Sequence, residues 1–234
     1  MGGSFSDGIR VGGVSIPLAT AQRWVREYTS VNNASATNPY AYPAYDRYQA
    51  ERNDPRILTD ADLLAPGLLN VPVKIRSYYG LQRIRPDLEA GLANDDLGVP
   101  LAEIDDPARI AAMVKPLYAV LDDPQTRPWN VSATTLSKVL HRKRPESLVL
   151  HDKWVKACYV GDNRPVQRIR SRSWAEYMVA ITCAIGADLR AQPGLFQLLD
   201  DVTSSPGELT HVRILDILAW KSRGTAPGET AGTS

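Results

Sequence analysis

Residues 132–157, SATTLSKVLHRKRPESLVLHDKWVKA, place four cations, Lys138, Arg142, Lys143 and Arg144, shortly ahead of the carboxylate of Asp152. A carboxylate in that position has two uses. At the head of a helix it accepts hydrogen bonds from the free N–H groups of the first turn, which suits its ionised form. In a cleft lined by cations it is instead the reacting group of a site that holds a polyanion. A second run, QRIRSRS, alternates Arg168, Arg170 and Arg172 with Ile169 and Ser171. An extended backbone there would aim the three guanidinium groups to one side. From Arg127 to Arg172 the chain has eleven Lys or Arg against three Asp or Glu, a local balance of +8 within a net charge of +1. The excess points to an anionic partner.

The elements that must position these groups read as helices. Leu18, Ala21, Trp24, Val25 and Tyr28 share one face of a helix that Pro17 can open. Thr59 is a cap for TDADLLAPGLLN. VKIRSYYGLQRI and the DLEAGLAN after Pro86 read as two short helices. Asp106 and Pro107 start the stripe of Ile110, Met113, Leu117 and Leu121, which Pro116 should kink. Ser132 caps the helix of Lys138, the next begins near His151 or Asp152, and Ser173 caps WAEYMVAITCAIGADLRA, the most apolar helix and the candidate for the buried centre. Alternating strand signals are almost absent. The expectation is an all-α fold of about eight to ten helices: one domain over residues 14–223, in one piece or as two lobes flanking a cleft, between a flexible Gly-rich segment 1–13 and a disordered tail 224–234.

Several chemistries are absent. There is no P-loop, no dinucleotide-binding glycine fingerprint, no HExxH and no Cys–His metal spacing. Cys158 and Cys183 sit in apolar runs and read as buried thiols. No cofactor or metal is expected. The N-terminus lacks an apolar targeting core and no stretch is long enough to span a bilayer, so a cytoplasmic protein without a membrane partner is expected.

The passage SKVLHRKRPESLVLHDKWVKA resembles the helix–turn–Asp–helix segment of the helix-hairpin-helix DNA glycosylases, most nearly the 8-oxoguanine-glycosylase-like branch. It is also similar to an uncharacterised actinobacterial family that shares the RKRP…D core. The glycosylase resemblance covers about 25 residues and implies a multi-helix glycosylase architecture with a central buried helix, acting on DNA, duplex rather than single strand. Asp152 takes the place of the essential carboxylate, with Trp154 and Val155 in the positions that follow it. The family's glycine-rich hairpin turn is missing from TRPWNVSATTLSK: either Asn130 or Ser132 supplies the turn and cap, or the hairpin is degenerate. Many members carry a Lys nucleophile before the Asp; Lys138 is not carried over to that role, and simple hydrolysis is expected.

Excising a base leaves positive charge on the sugar, which a fixed carboxylate stabilises while it orients or deprotonates water. The base must leave the stack, a cost of a few kcal/mol that phosphate contacts offset. Lys138, Arg142, Lys143, Arg144, Arg168, Arg170 and Arg172 are the expected DNA contacts. Tyr42, Tyr45, Asp46 and Tyr48 of YAYPAYDRY, with His151 and Trp154, are the candidate base pocket, although aromatic packing of that loop onto the core is the commoner role for its tyrosines. Two other readings stay open: a non-catalytic helical DNA-binding protein, and a hydrolase of nucleosides or small N-glycosides.

Overall fold

The computed structural model describes residues 8–30, 32–33, 44–49 and 54–227. It opens with a strand pair that the glycine-rich composition hides. Gly8–Val11 (β1) and Val14–Pro17 (β2) form an antiparallel hairpin, Ile9 opposite Ile16 and Val11 opposite Val14. Those four side chains are buried while Arg10 and Ser15 face out, a period-2 pattern too short to stand out in sequence. The turn residue Gly12 has φ +60°, and a Cβ there would lie 2.4 Å from the Cys158 carbonyl oxygen. Asp188 accepts from the Gly12 N–H at 2.6 Å and the Tyr159 hydroxyl at 2.7 Å. The expectation of a flexible start therefore fails from residue 8 onward, because this segment is sewn into the core.

The described remainder is mostly helical, as expected: α1 Leu18–Thr29, α2 Ala44–Arg47, α3 Asp60–Leu64, α4 Ile75–Leu92, α5 Pro107–Ala119, α6 Ala133–Lys143, α7 Lys153–Tyr159, α8 Trp174–Ala191, α9 Pro193–Asp200 and α10 His211–Ser222. Side-chain caps set several starts. Thr59 and Ser173 close reciprocal boxes with Asp62 and Glu176, Asp106 bonds the Ala108 N–H, and Ser132 bonds that of Thr135. The two short helices expected around Pro86 are one. Leu81, Ile84, Leu88 and Leu92 are buried on both sides of that proline, and their burial outweighs its lost N–H, a cost of about 3 kcal/mol.

Helix α8 packs chiefly on α5 and also meets α9, α10 and β1, which makes it the centre the sequence suggested. Buried apolar side chains from Ile9 to Ala219 form one connected core. Helix α10 crosses α1, α7 and α9. Helix α6 is buried from Thr135 to Lys143, polar residues included. Among the described residues no helix is long and apolar enough to cross a membrane.

Candidate active site

Five parts of the chain meet around one pocket: the end of α1, the turn at residues 68–70, the middle of α6, the residue that caps α7, and one edge of α10. Lys138, Asp152, Arg213, Asp216 and Tyr28 are its polar groups; Leu68, Leu69, Asn70, Ile217 and Trp220 are its walls. It holds about 490 Å³ of empty space, its open mouth included.

Asp152 is half-buried, and its Oδ1 accepts both capping hydrogen bonds, from Trp154 N–H at 2.8 Å and Val155 N–H at 3.0 Å. Its Oδ2 makes no hydrogen bond within the described residues. The cap is thus real, and the capping residue also lines the pocket. Lys138 is 3% exposed, yet its ammonium has neither a hydrogen bond nor an ion pair among the described residues. Burial pushes its pKa down, only partly opposed by Asp216 and Asp152. Across the pocket Arg213 donates to Asp46 at 2.8 Å, to Asp216 and to the Tyr28 hydroxyl. Burial works against the charge of Arg213, but its acidic surroundings, Asp46 foremost, outweigh it and hold its pKa high.

The expected DNA contacts are redistributed. Arg142 and Lys143 are not on the surface. Both are buried against Asp62, at 3.2 and 2.8 Å, and Arg142 also donates to the carbonyls of Tyr45 and Tyr48 at 2.7 and 2.6 Å. An unpaired guanidinium is costly inside, so their charge is spent on holding α2 and α3 to the end of α6. Lys138 is likewise withdrawn from any surface, into the pocket. Arg144 is half-buried and donates to the Leu92 carbonyl at 3.0 Å. Arg168 and Arg170 are exposed and Arg172 partly so, but the segment is no extended ladder. Its backbone turns, Arg172 N–H to Ile169 carbonyl at 3.4 Å, and Ile169 is solvent-exposed. None of the three lines the pocket.

The expected base pocket is corrected as well. Tyr42 lies outside the described residues. Tyr45 is core: 1% exposed, its ring 6.3 Å from that of His141 and nearly parallel, its hydroxyl donating to the Lys138 carbonyl. Asp46 is the carboxylate behind Arg213. Tyr48 is exposed, with the Arg142 guanidinium 5.6 Å from its ring. His151 is buried, its Nε2 3.1 Å from the Tyr177 hydroxyl, and burial pushes its pKa down to about 4. Trp154 is half-buried between Lys153 and Arg223, 4.4 and 5.8 Å from its ring. Asp216, Arg213, Tyr28 and Trp220 were missed. Of these only Arg213 and Asp216, a charged i, i+3 pair within the apolar pattern of α10, left a signal in the sequence.

Asn130, at φ +53°, takes a left-handed turn ahead of α6, and Ser132 caps that helix. The connection from α5 to α6, residues 120–132, is long for a hairpin. The profile of DUF6308, a family of unknown function, matches residues 21–223. The chain belongs to the DUF6308 family. No significant match is found among curated proteins or among solved structures. The stretch matched by DUF6308 takes in every pocket residue, from Tyr28 to Trp220.

Proposed function

We propose that this DUF6308 protein is a DNA glycosylase that hydrolyses the N-glycosidic bond of a damaged or modified base, with Asp152 as the carboxylate that meets the sugar. The observation that carries this reading is the division of labour within Asp152: one oxygen is fixed by two helix N–H groups and the other is left to an open pocket. A carboxylate held that way faces a developing oxocarbenium charge without reorganising. Lys138 beside it offsets its charge during binding. Trp154, Lys153 and Arg223 flank the cap with a ring and two cations suited to a sugar–phosphate backbone. Repair of damage and defence against phage DNA with modified bases are the two settings, both in the cytoplasm.

A second reading is favoured by the burial of Arg142 and Lys143, which leaves fewer cations for a polyanion: hydrolysis of a nucleoside or other small N-glycoside in the same pocket.

The test is a panel of duplexes carrying single damaged or modified bases, with abasic sites revealed by alkali. Asp152→Asn keeps a capping oxygen and should bind duplex as before while losing excision by about 10³-fold or more, the scale of a positioned catalytic group. Borohydride trapping in the same assay reads whether the Lys138 amine attacks the sugar. Release of free base from mononucleosides, insensitive to salt, would move the assignment to the second reading. A wild-type protein that yields no abasic site and no free base sinks both.

A further inference from the structure

A second carboxylate shares the pocket with Asp152, and it comes from a part of the chain with no link to the Asp152 motif. Asp216, on α10, is 7% exposed and lines the same space as Asp152 and Lys138. Its Oδ2 accepts from Arg213 Nη1 one turn earlier on the same helix. Its Oδ1 makes no hydrogen bond within the described residues. One oxygen is therefore fixed by a guanidinium, and the other can carry a proton toward the pocket.

Charge balance says that it should. The ionisable groups facing Asp216 are Arg213, Lys138, Asp152 and Asp46, with the Tyr28 hydroxyl behind Arg213. Asp46 already shares Arg213, at 2.8 Å. Three carboxylates thus meet two cations around one pocket, and one extra proton relieves the surplus negative charge. Burial is the largest influence on Asp216 and raises its pKa; Arg213 and Lys138 pull it down, Asp152 and Asp46 push it up, and the balance is upward. Two carboxyls on one pocket, one of them inclined to keep its proton, are an arrangement that lets one act as acid and the other serve the water.

We infer that Asp216 is the general acid of this site, protonating the departing base while Asp152 serves the sugar and water. The inference rests on the N-glycosidic reading above. As the C1′–N bond breaks, its electron pair goes to the base nitrogen and the Asp216 proton goes to the base. Water adds to C1′ and gives its proton to Asp152. Solvent then restores the proton to Asp216 and removes the one on Asp152. The substrate class follows from this chemistry. A base that already carries positive charge, such as an N7-alkylated purine, leaves without an acid. A built-in acid is of use for neutral bases, so a neutral damaged or modified base is the expected substrate.

The experiment compares wild type, Asp216→Asn, Asp216→Glu and Asp152→Asn in single turnover on duplexes carrying uracil, hypoxanthine, 8-oxoguanine or 5-hydroxymethylcytosine, and on one carrying cationic 7-methylguanine. Wild type should release a neutral base, with activity falling as pH rises through the Asp216 ionisation. Asp216→Asn should lose about 10²- to 10⁴-fold on that base and flatten the alkaline limb. Where 7-methylguanine is released, its loss should stay below about 10-fold, since no proton is needed there. Asp216→Glu should restore part of the rate. Infrared spectroscopy of wild type near neutral pH should show a protonated carboxyl that Asp216→Asn lacks, a readout independent of turnover and of whether that variant folds well. Equal rates for Asp216→Asn and wild type on a neutral base, beside a dead Asp152→Asn, would overturn the Asp216 role and leave the glycosylase reading standing. The absence of that protonated carboxyl in wild type would overturn it as well. No base release from any substrate by wild type would bring down the reading and this inference together.

Discussion

Helix α6 carries basic residues one turn apart that meet opposite fates. At its end Arg142 and Lys143 converge on Asp62, and Arg142 adds two backbone carbonyls, so the charge there has partners on every side. One turn earlier Lys138 is equally buried, yet its ammonium has no hydrogen-bond or ion-pair partner among the described residues and faces two carboxylates across empty space. Both places look alike in the sequence, as cations near acids. The difference is satisfaction. The first is a fastener, and the second lines the pocket for which we propose a substrate. A largely enclosed cation that opens onto a pocket shared with two carboxylates is a reason to look there for chemistry.

The largest effect should come from breaking the fastener. Burial alone would raise the Asp62 pKa, but the hydrogen bond from Lys143, those from Thr59 and the Lys143 charge together hold it below the usual range. Asp62→Ala strands two cations in the interior and removes the capping box of α3, so urea unfolding should show a loss of about 3–5 kcal/mol. Excision per folded molecule should be unchanged. A stable variant with impaired excision would exchange the roles of the two regions.

A smaller effect separates them by pH. Two buried histidines bracket the connection that leads to the pocket. His141 bonds the Leu148 carbonyl through Nδ1 at 2.6 Å, and burial pushes its pKa down to about 3. His151 has an Nδ1 that is buried without a partner, and its pKa falls to about 4, with Asp152 opposing the shift and Lys138 and Lys156 adding to it. The sign follows directly. The unfolded chain takes up protons below its ordinary histidine value near 6.5 while the folded rings stay neutral, so stability is present above that pH and declines as pH falls toward the folded values. Each ring should cost roughly 2 kcal/mol between pH 7 and pH 5. His151→Phe should remove about half of that acid sensitivity. An unchanged dependence would mean that His151 is protonated in place and belongs to the charged site, not to the packing behind it.

The contrast also explains what could be read from the sequence. Caps are local, and Thr59, Asp106, Ser132, Asp152 and Ser173 all stand where their spacing to the following helix put them. The central α8 announced itself by its apolar run. The β1–β2 hairpin did not, because four alternating residues per strand amid glycines leave a signal shorter than any helix. Asp152 was legible because a cap and a reacting carboxylate ask for the same residue at the same place. The fate of each cation was not, since pairing depends on which acid the fold brings across. Asp62 lies 80 positions from Arg142, and Asp46 lies 167 from Arg213. Asp216 was hidden for the same reason: its neighbours in the pocket are distant in the chain, and its own helix reads as core.

The smallest effect is the sharpest discriminator, because it carries an unusual sign. Replacing Lys138 with Met keeps the stem and deletes a buried ammonium whose charge burial disfavours. The protein should become more stable, by about 1 kcal/mol, since apolar replacements of poorly compensated buried charges are neutral or stabilising. Because burial lowers the folded pKa of Lys138, the gain should be full below that value and shrink as pH climbs toward the unfolded value near 10.4. Excision should fall at the same time, as the carboxylates lose the cation between them and the pocket its amine. At the fastener, then, a substitution takes stability and spares activity; at the pocket it adds stability and takes activity. A Lys138→Met protein that is both less stable and fully active would mean that the ammonium is satisfied within the fold after all, and the distinction between the two turns of α6 would collapse.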